Sequence, residues 1–292
     1  MKKAYFTISF LICVINFLAC KQKAETAKIA HPIIKDKNVV IDYTDTHNGD
    51  TTLLFVHGWC LNKSYWDNQV AYFKNRYRVV AIDLPGFGKS GKNRDGWNTA
   101  AFGADVDSVI SQLKLRNVIL IGHSMAGDIV LQAAKHQPQA VIGLVGVDNF
   151  KGVATGARFT KADTVKYKQA IDSMRHEFRK FAADYFNQQL FYKTTSQAIR
   201  QRVLNDMMHT DPKIGTDCME LDNFDEAKEL KAVGKKLCLI NSDYTPTDTT
   251  GLHKNNIPFQ VWYVHAVGHF PMVEKPADFN RDLADAIKHL HS

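Results

Sequence analysis

Five short apolar runs, rich in β-branched residues, constrain the fold of this chain more than any other feature. They span residues 77–83, 117–122, 141–148, 237–241 and 259–264. None of them alternates apolar with polar residues, which is typical of strands buried on both faces of a parallel sheet. Stretches with helical periodicity lie between them. The sequence therefore predicts an α/β fold, in which a mostly parallel twisted sheet is flanked by helices.

The flanking helices are predicted from apolar residues at every third or fourth position. The expected segments are residues 64–75, 99–115, 125–136 and 276–290. Ahead of them, two shorter apolar runs at residues 38–43 and 51–57 are separated by a turn-rich stretch at 45–50. This pattern predicts a hairpin or a pair of adjacent strands near the start of the fold.

Residues 151–232 contain no convincing strand, and helical periodicity is clearest at 162–188 and 195–208. A chain of 292 residues is long enough for one large domain that carries an insertion. We therefore predict a core formed by residues 38–150 and 233–292. The block at 151–232 is expected to be an inserted helical cap that lies over one end of the sheet.

The N-terminus has a basic start and an apolar run at residues 4–19, which is typical of a secretory signal. The run ends at Ala19-Cys20, and a small residue before a cysteine resembles the cleavage box of bacterial lipoproteins. Phe17 departs from that box, which usually has leucine there. We predict a lipoprotein-type signal peptide at 1–20, lipidation of Cys20 and a tether at 21–37. An ordinary cleaved signal or an uncleaved anchor is the alternative.

These N-terminal features predict an exported protein that a lipid anchors to the membrane of a bacterial cell envelope. The formal net charge of +7, from 37 Lys and Arg against 30 Asp and Glu, is spread along the chain. The sequence contains no compact Lys/Arg block of the kind that would indicate a nucleic-acid partner. Cys60, Cys218 and Cys238 lack the close spacing of a metal motif, so we expect no metal site.

The strongest chemical signal is the run Gly122-His123-Ser124-Met125-Ala126, which follows a predicted strand and precedes a predicted helix. A serine on such a tight strand-to-helix turn is a candidate nucleophile, because small neighbours allow the strained turn that exposes its hydroxyl. The helix N-terminus leaves the backbone N–H of Met125 free to stabilise an oxyanion. The alternative is a serine that serves only as a helix cap.

A second signal is His57-Gly58-Trp59 at the end of another apolar run. The glycine lets the chain turn sharply, so that the N–H of Trp59 is the candidate second oxyanion donor. We expect His57 to hold this loop through hydrogen bonds rather than to act as a base. The Gly- and Pro-rich residues 83–90 are interpreted as a loop, because they lack the spacing of a phosphate-binding motif.

Together these motifs resemble the α/β-hydrolase family. The runs HGWC (57–60), DLPGFGKS (83–90), GHSMAG (122–127) and VGHFPMVEKP (267–276) occur in that family's order. The resemblance covers residues from about 38 to 292, and the helical block lies where the family carries its cap. It implies a serine hydrolase that acts on a small-molecule substrate and needs no cofactor.

The resemblance also implies a catalytic histidine in a loop after the last strand. His269 lies in such a loop, bounded by glycine and proline, so it is the expected general base. His265, four residues earlier, is the alternative.

The resemblance places the aspartate that orients this histidine after the penultimate strand, where Asp243 is the closest candidate. It stands slightly earlier than the family pattern. Asp148, at the end of the run 141–148, is the alternative, because some branches of the family use that position. Asp248 is a third candidate that could instead help start the next helix.

The expected function is cleavage of an ester-like bond through an acyl-enzyme on Ser124. Amide, peptide or carbon–carbon bond hydrolysis by the same machinery is an alternative. A different class, a non-catalytic ligand-binding protein that retains the fold, is favoured by the displaced position of the acid.

Overall fold

A mostly parallel sheet lies at the centre of the structure, a computed structural model that describes residues 34–36, 39–154, 161–220 and 224–292. The strands are β1 (Ile34–Asp36), β2 (Val39–Ile41), β3 (Tyr43–Asp45), β4 (Thr52–Val56), β5 (Arg78–Ile82), β6 (Val118–His123), β7 (Val141–Val147), β8 (Leu237–Ser242) and β9 (Phe259–Val264). Seven of them form the central sheet in the order β3-β5-β4-β6-β7-β8-β9. Every neighbouring pair is parallel except β3 and β5. The predicted fold class is confirmed.

The helices of the core cover the two faces and the ends of this sheet. They are α1 (Asp67–Phe73), α2 (Thr99–Gln112), α3 (Ala126–His136), α7 (Glu226–Val233), α8 (Thr250–Lys254), α9 (Pro271–Glu274) and α10 (Pro276–His291). A 3₁₀ turn at Lys63–Trp66 leads into α1. All residues of β4, β6 and β8 are buried, which explains why their sequences show no alternation.

The N-terminal strands differ from two expectations. Ile34–Asp36 pairs antiparallel with Val39–Ile41, so the end of the segment predicted as a tether (21–37) is a strand of a small hairpin. β3 and β4 are not neighbours, because β5 lies between them. The predicted pairing of these two runs is therefore wrong. The predicted signal at 1–20 and the lipid site at Cys20 lie outside the described residues.

Between β7 and β8 the described chain is helical. It comprises α4 (Lys161–Tyr185), a π-helical turn at Phe186–Leu190, α5 (Gln197–His209), α6 (Pro212–Asp217) and then α7. α7 falls inside the segment predicted as cap, yet it packs on α3 of the core, where Glu229 pairs with Lys135 at 2.7 Å. It is therefore the crossover helix into β8. Within the described ranges, no helix is long and apolar enough to cross a bilayer.

Strand order determines which loops meet. In the parallel register Val56 lies opposite Gly122, Gly122 opposite Gly146, and Val147 opposite Ile240. The carboxyl ends of β4, β6, β7 and β8 therefore lie side by side at one edge of the sheet. Ligands of open α/β sheets bind at that edge.

Candidate active site

Ser124 occupies the sharp turn between β6 and α3. Its φ of 54° lies in the left-handed region, which non-glycine residues rarely adopt and which costs about 1–3 kcal/mol. The turn is held because the Ser124 N–H donates to the Val147 carbonyl at 2.9 Å and the Gly127 N–H donates to the Ser124 carbonyl at 2.9 Å. A side chain at Gly122 would lie 2.3 Å from the Ala126 carbonyl oxygen. Only glycine fits there.

Ser124 and His269 line the same cavity, which has a volume of about 280 Å³. The core contributes Trp59, Met125 and Phe270 to its wall, and the helical block contributes Tyr185, Phe186 and Leu190. Tyr167 of the same block also lines it, whereas Phe178, Phe181, Phe191 and Tyr192 do not. Asp128 and Glu220 add two carboxyl groups to the wall.

His269 is bound to Asp148. Its Nδ1–H donates to Asp148 Oδ2 at 2.5 Å, and the side chains are 12% and 1% exposed. The backbone N–H of His269 donates to the Leu190 carbonyl at 2.8 Å, which ties the histidine loop to the helical block. An aspartate on Nδ1 leaves Nε2 as the basic nitrogen of the ring.

Asp148 lies at the end of β7 with a φ of 49°, and its second oxygen also has partners. Oδ1 accepts from the N–H of Ser242 at 2.8 Å and from its hydroxyl at 2.5 Å, and Lys151 Nζ lies 2.7 Å away. Burial opposes ionisation, but the hydrogen bond and charge of His269, together with Lys151, hold the pKa of Asp148 well below its usual range. The carboxyl group is therefore ionised at neutral pH.

Asp243, the first choice of orienting acid, does not contact His269. Its carboxylate accepts from His265 Nδ1 at 2.8 Å and from the Ala266 N–H at 3.1 Å. Ser242, the last residue of β8, faces Asp148 with its hydroxyl, whereas the carboxylate of Asp243, the next residue, is bound by the segment 265–266. Asp243 must therefore point away from the site. The expected contact between Asp243 and His269 is therefore wrong, and Asp148, the alternative, is the aspartate that contacts His269.

The other two alternatives also lie outside the cavity. Asp248 accepts from the N–H of Thr250 at 2.9 Å at the start of α8. The His265 side chain is 73% exposed and does not line the cavity. Neither residue is placed for chemistry at Ser124.

The two residues expected to donate backbone N–H groups to an oxyanion are both at the cavity. Trp59 and Met125 both line the cavity, and in the described part of the chain neither N–H donates to another backbone group. Gly58 allows the loop that carries Trp59 to lie close to the Ser124 turn. A side chain at Gly58 would lie 2.7 Å from His123 Nδ1 and 3.1 Å from Ser124 Cβ. The Trp59 indole donates to the Gly215 carbonyl of α6 at 2.8 Å, which fixes this residue. The pair can serve as an oxyanion hole.

Two buried histidines support the site. His57 Nδ1–H donates to the Gly58 carbonyl at 2.8 Å, and Nε2 accepts from the Leu84 N–H at 2.9 Å. Both nitrogens are thus occupied, and burial lowers the pKa of His57. His57 joins the loops at 57–60 and 83–90 as a neutral ring.

His123 is a supporting residue that the sequence analysis missed. Its Nε2–H donates to the carbonyl of His269 at 2.7 Å, and Nδ1 has no hydrogen-bond partner in the described structure. Burial, with a contribution from the nearby His269, lowers the pKa of His123 from 6.5 to about 3. The available signal was its position inside the strand run, one residue before Ser124.

Comparisons with known proteins agree with this architecture. A family model described as alpha/beta hydrolase fold matches residues 51–207. The AB hydrolase superfamily protein YisY of Bacillus subtilis (strain 168) is 32% identical over 216 residues, which is 70% of this chain and 78% of that protein. The chain belongs to the α/β-hydrolase family, as its motifs predict.

Two further proteins are similar to this chain, one in sequence and one in structure. A non-heme chloroperoxidase of Burkholderia pyrrocinia is 38% identical over 104 residues, which is 35% of this chain but only 37% of that protein. A thermophilic esterase from Thermogutta terrifontis superposes with a TM-score of 0.74 at 18% identity, over 89% of this chain and 97% of that one. At this identity the superposition establishes the fold alone. The relatives together indicate a hydrolase of the α/β fold.

Proposed function

We propose that this protein is a serine hydrolase that cleaves a small ester through an acyl-enzyme on Ser124. The observation that carries the proposal is that His269, which lines the same cavity as Ser124, is held by the buried Asp148 behind it. A nucleophile, a base and an acid that orients the base are the three parts that acyl transfer requires.

In the first half of the reaction, Ser124 Oγ attacks the ester carbonyl carbon while His269 Nε2 takes its proton. The ionised Asp148 stabilises the imidazolium that forms. The N–H groups of Trp59 and Met125 donate to the oxyanion. The tetrahedral intermediate collapses when the bond to the alkoxy oxygen breaks, and His269 gives its proton to the departing alcohol.

In the second half, water attacks the acyl-enzyme carbonyl and its proton passes to His269. The ester bond to Ser124 Oγ breaks, and the proton returns to the serine. The products are a carboxylic acid and the regenerated enzyme. Every proton transferred in this cycle passes through one imidazole, so no cofactor is needed.

The cavity supports a small substrate of low negative charge. Its volume of about 280 Å³ is at the lower end of small-molecule sites. Its aromatic wall, which includes Trp59, Tyr185 and Phe186, favours apolar acyl or alcohol groups. Glu220 is already paired with Arg175, so Asp128 is the carboxyl group of the wall that disfavours a free carboxylate on the substrate.

A fluorophosphonate probe tests the proposal without knowledge of the natural substrate. We expect stoichiometric labelling of Ser124, lost in Ser124→Ala and in His269→Ala, and retained in Ser173→Ala, which removes an exposed serine of α4. A panel of p-nitrophenyl esters from acetate to decanoate should give its highest kcat/KM at the short end. Labelling that persists in Ser124→Ala would overturn the proposal.

The same assays separate the alternatives. Labelled Ser124 without turnover of any ester in the panel would favour amide, peptide or carbon–carbon bond hydrolysis. An unlabelled, folded protein would favour a ligand-binding protein that retains the fold.

We also propose that the protein is exported and anchored by a lipid on Cys20. The support is the sequence of residues 1–20, with its basic start, apolar run and terminal Ala-Cys. In a bacterial host, radiolabelled palmitate should be incorporated into the full chain and into Cys13→Ala, but not into Cys20→Ala. Equal incorporation in both variants would contradict this proposal.

A further inference from the structure

The ammonium group of Lys151 lies against the acid of the proposed triad. Lys151 follows β7 by four residues, and its Nζ is 2.7 Å from Asp148 Oδ1. The side chain is 16% exposed. Asp148 therefore binds two cationic or cation-forming side chains, His269 through Oδ2 and Lys151 through Oδ1.

Several neighbouring groups hold the Lys151 ammonium in place. Nζ also donates to the Ser242 carbonyl at 3.2 Å and to the Thr245 carbonyl at 3.3 Å, and it lies 4.7 Å from the centre of the Tyr244 ring. The backbone carbonyl of Lys151 accepts from the Asp248 N–H at 2.7 Å. These contacts hold the charge at one oxygen of the carboxylate.

Orientation of Asp148 does not depend on Lys151. The N–H and hydroxyl of Ser242 already donate to Oδ1, and His269 engages Oδ2. Two neutral donors and the imidazole are enough to fix a carboxylate. The distinct contribution of Lys151 is its positive charge.

We propose that Lys151 is a positioning residue that extends the activity of this hydrolase toward acid pH, by neutralising part of the Asp148 charge that would otherwise hold a proton on His269. The inference rests on the proposed function. Protonated His269 cannot accept the Ser124 proton, so any charge that disfavours the imidazolium preserves the base at lower pH. A lone carboxylate would stabilise the imidazolium in full, whereas one already paired with an ammonium stabilises it less.

Other charged or titratable groups surround this pair and stay unchanged in the test. They are His123 behind His269, Tyr244 and the Asp243–His265 pair after β8 and β9, Glu274 of α9, and Tyr185 of the helical block. Glu274 accepts from the Gly268 N–H at 2.9 Å. Because all of them are present in every variant, a difference between variants reports the Lys151 charge.

The test is the pH dependence of fluorophosphonate labelling at Ser124, measured as a second-order rate constant from pH 4.5 to 9. In Lys151→Met we expect the midpoint of the acid limb to rise by about 1 pH unit, the low end of the effect of a charge a few ångströms away. Labelling is then about tenfold slower well below the midpoint and within about threefold on the plateau.

Two further variants separate charge from structure. Lys151→Gln keeps a donor for the Ser242 and Thr245 carbonyls without the charge and should show the same shift, whereas Lys151→Arg should restore the wild-type midpoint. Lys63→Met is the matched control. Lys63 is 17% exposed and paired with Asp42 and Asp83, so this variant should lower the melting temperature without moving the midpoint.

The inference is overturned if both neutral variants, folded by circular dichroism, keep the wild-type midpoint or lose rate equally at all pH values. It is also overturned if Lys63→Met shifts the midpoint as far. Failure of wild-type protein to label at Ser124 would instead reject the proposed function, so the two failures are distinguishable.

Discussion

Two histidine–aspartate pairs lie in and beside the loop after β9, and they differ only in their surroundings. His269 and Asp148 are 2.5 Å apart with side chains 12% and 1% exposed. His265 and Asp243 are 2.8 Å apart with side chains 73% and 42% exposed. The chemical groups are the same, and their separations are similar. His269 of the first pair lines a cavity together with a strained serine, whereas the second pair is exposed to solvent.

The difference shows that burial, and not pairing, distinguishes the pair suited to the proposed catalysis from the pair at the surface. Water screens the exposed pair, whose contribution to stability is roughly 0–1 kcal/mol. The buried pair is held by Ser242 and Lys151 and cannot exchange its partner for water. Such fixed charge is what stabilises a transient imidazolium.

The largest expected difference between the pairs is in activity. Asp148→Asn should lower kcat/KM for a p-nitrophenyl ester by about ten-thousand-fold, because an asparagine there favours the wrong tautomer of His269. Asp243→Asn should stay within about threefold of wild type. Steady-state kinetics at pH 7.5 on both variants checks this, with circular dichroism to confirm folding. Similar losses in the two variants would show that the comparison is wrong.

A second prediction concerns the buried His123 against the exposed His265. The folded-state pKa of His123 is about 3, below the unfolded value of 6.5, so its contribution to stability is complete above pH 6.5 and falls as the pH drops toward 3. Between pH 6.5 and 5 this loss is on the order of 2 kcal/mol. Burial also lowers the pKa of His57, so this residue likewise reduces the free energy of unfolding as the pH falls.

Urea unfolding at a series of pH values measures this effect. His123→Gln should flatten the decline in the free energy of unfolding between pH 6.5 and 5, although His57 leaves part of it. His265→Gln should leave the slope unchanged. An unaltered slope in His123→Gln would show that this ring is protonated in the folded protein.

The smallest expected effect is the coupling within the exposed pair. A double-mutant cycle with Asp243→Ala and His265→Ala should give an interaction energy below about 1 kcal/mol, and salt should reduce it further. The single variants should label with the phosphonate probe at the wild-type rate. A coupling of several kcal/mol would mean that the pair fixes the loop that carries His269.

Much of the fold could be predicted from local sequence. The five long strand runs and the helix at 276–290 match β5 to β9 and α10 within a few residues, because an unbroken apolar run favours a buried strand. β9 differs in burial from the expectation, since only Val264 of its six residues is buried. The placement of β5 between β3 and β4 could not be predicted in this way. Both strands are short, and the insertion of β5 between them depends on contacts distant in sequence.

Some residues of the candidate site can likewise be predicted from local sequence, and others cannot. Ser124 could be singled out because a nucleophile turn is local: small residues, a strand before it and a helix after it occupy a few consecutive positions. His269 could be found from its loop after the last strand. Both residues can therefore be recognised from the residues next to them in the sequence.

The acid could not be chosen from local context, because Asp148 and Asp243 both follow an apolar run that ends a strand. Ser242 ends β8 with its hydroxyl on Asp148, whereas Asp243 lies beyond the strand and is bound by His265. Asp148 contacts His269 across 121 positions of sequence. His123 and Lys151 likewise gain their importance from groups that are distant along the chain. Short-range pattern identifies the strands and the nucleophile, whereas the partners of each charge depend on strand order and side-chain direction, which arise only when the sheet assembles.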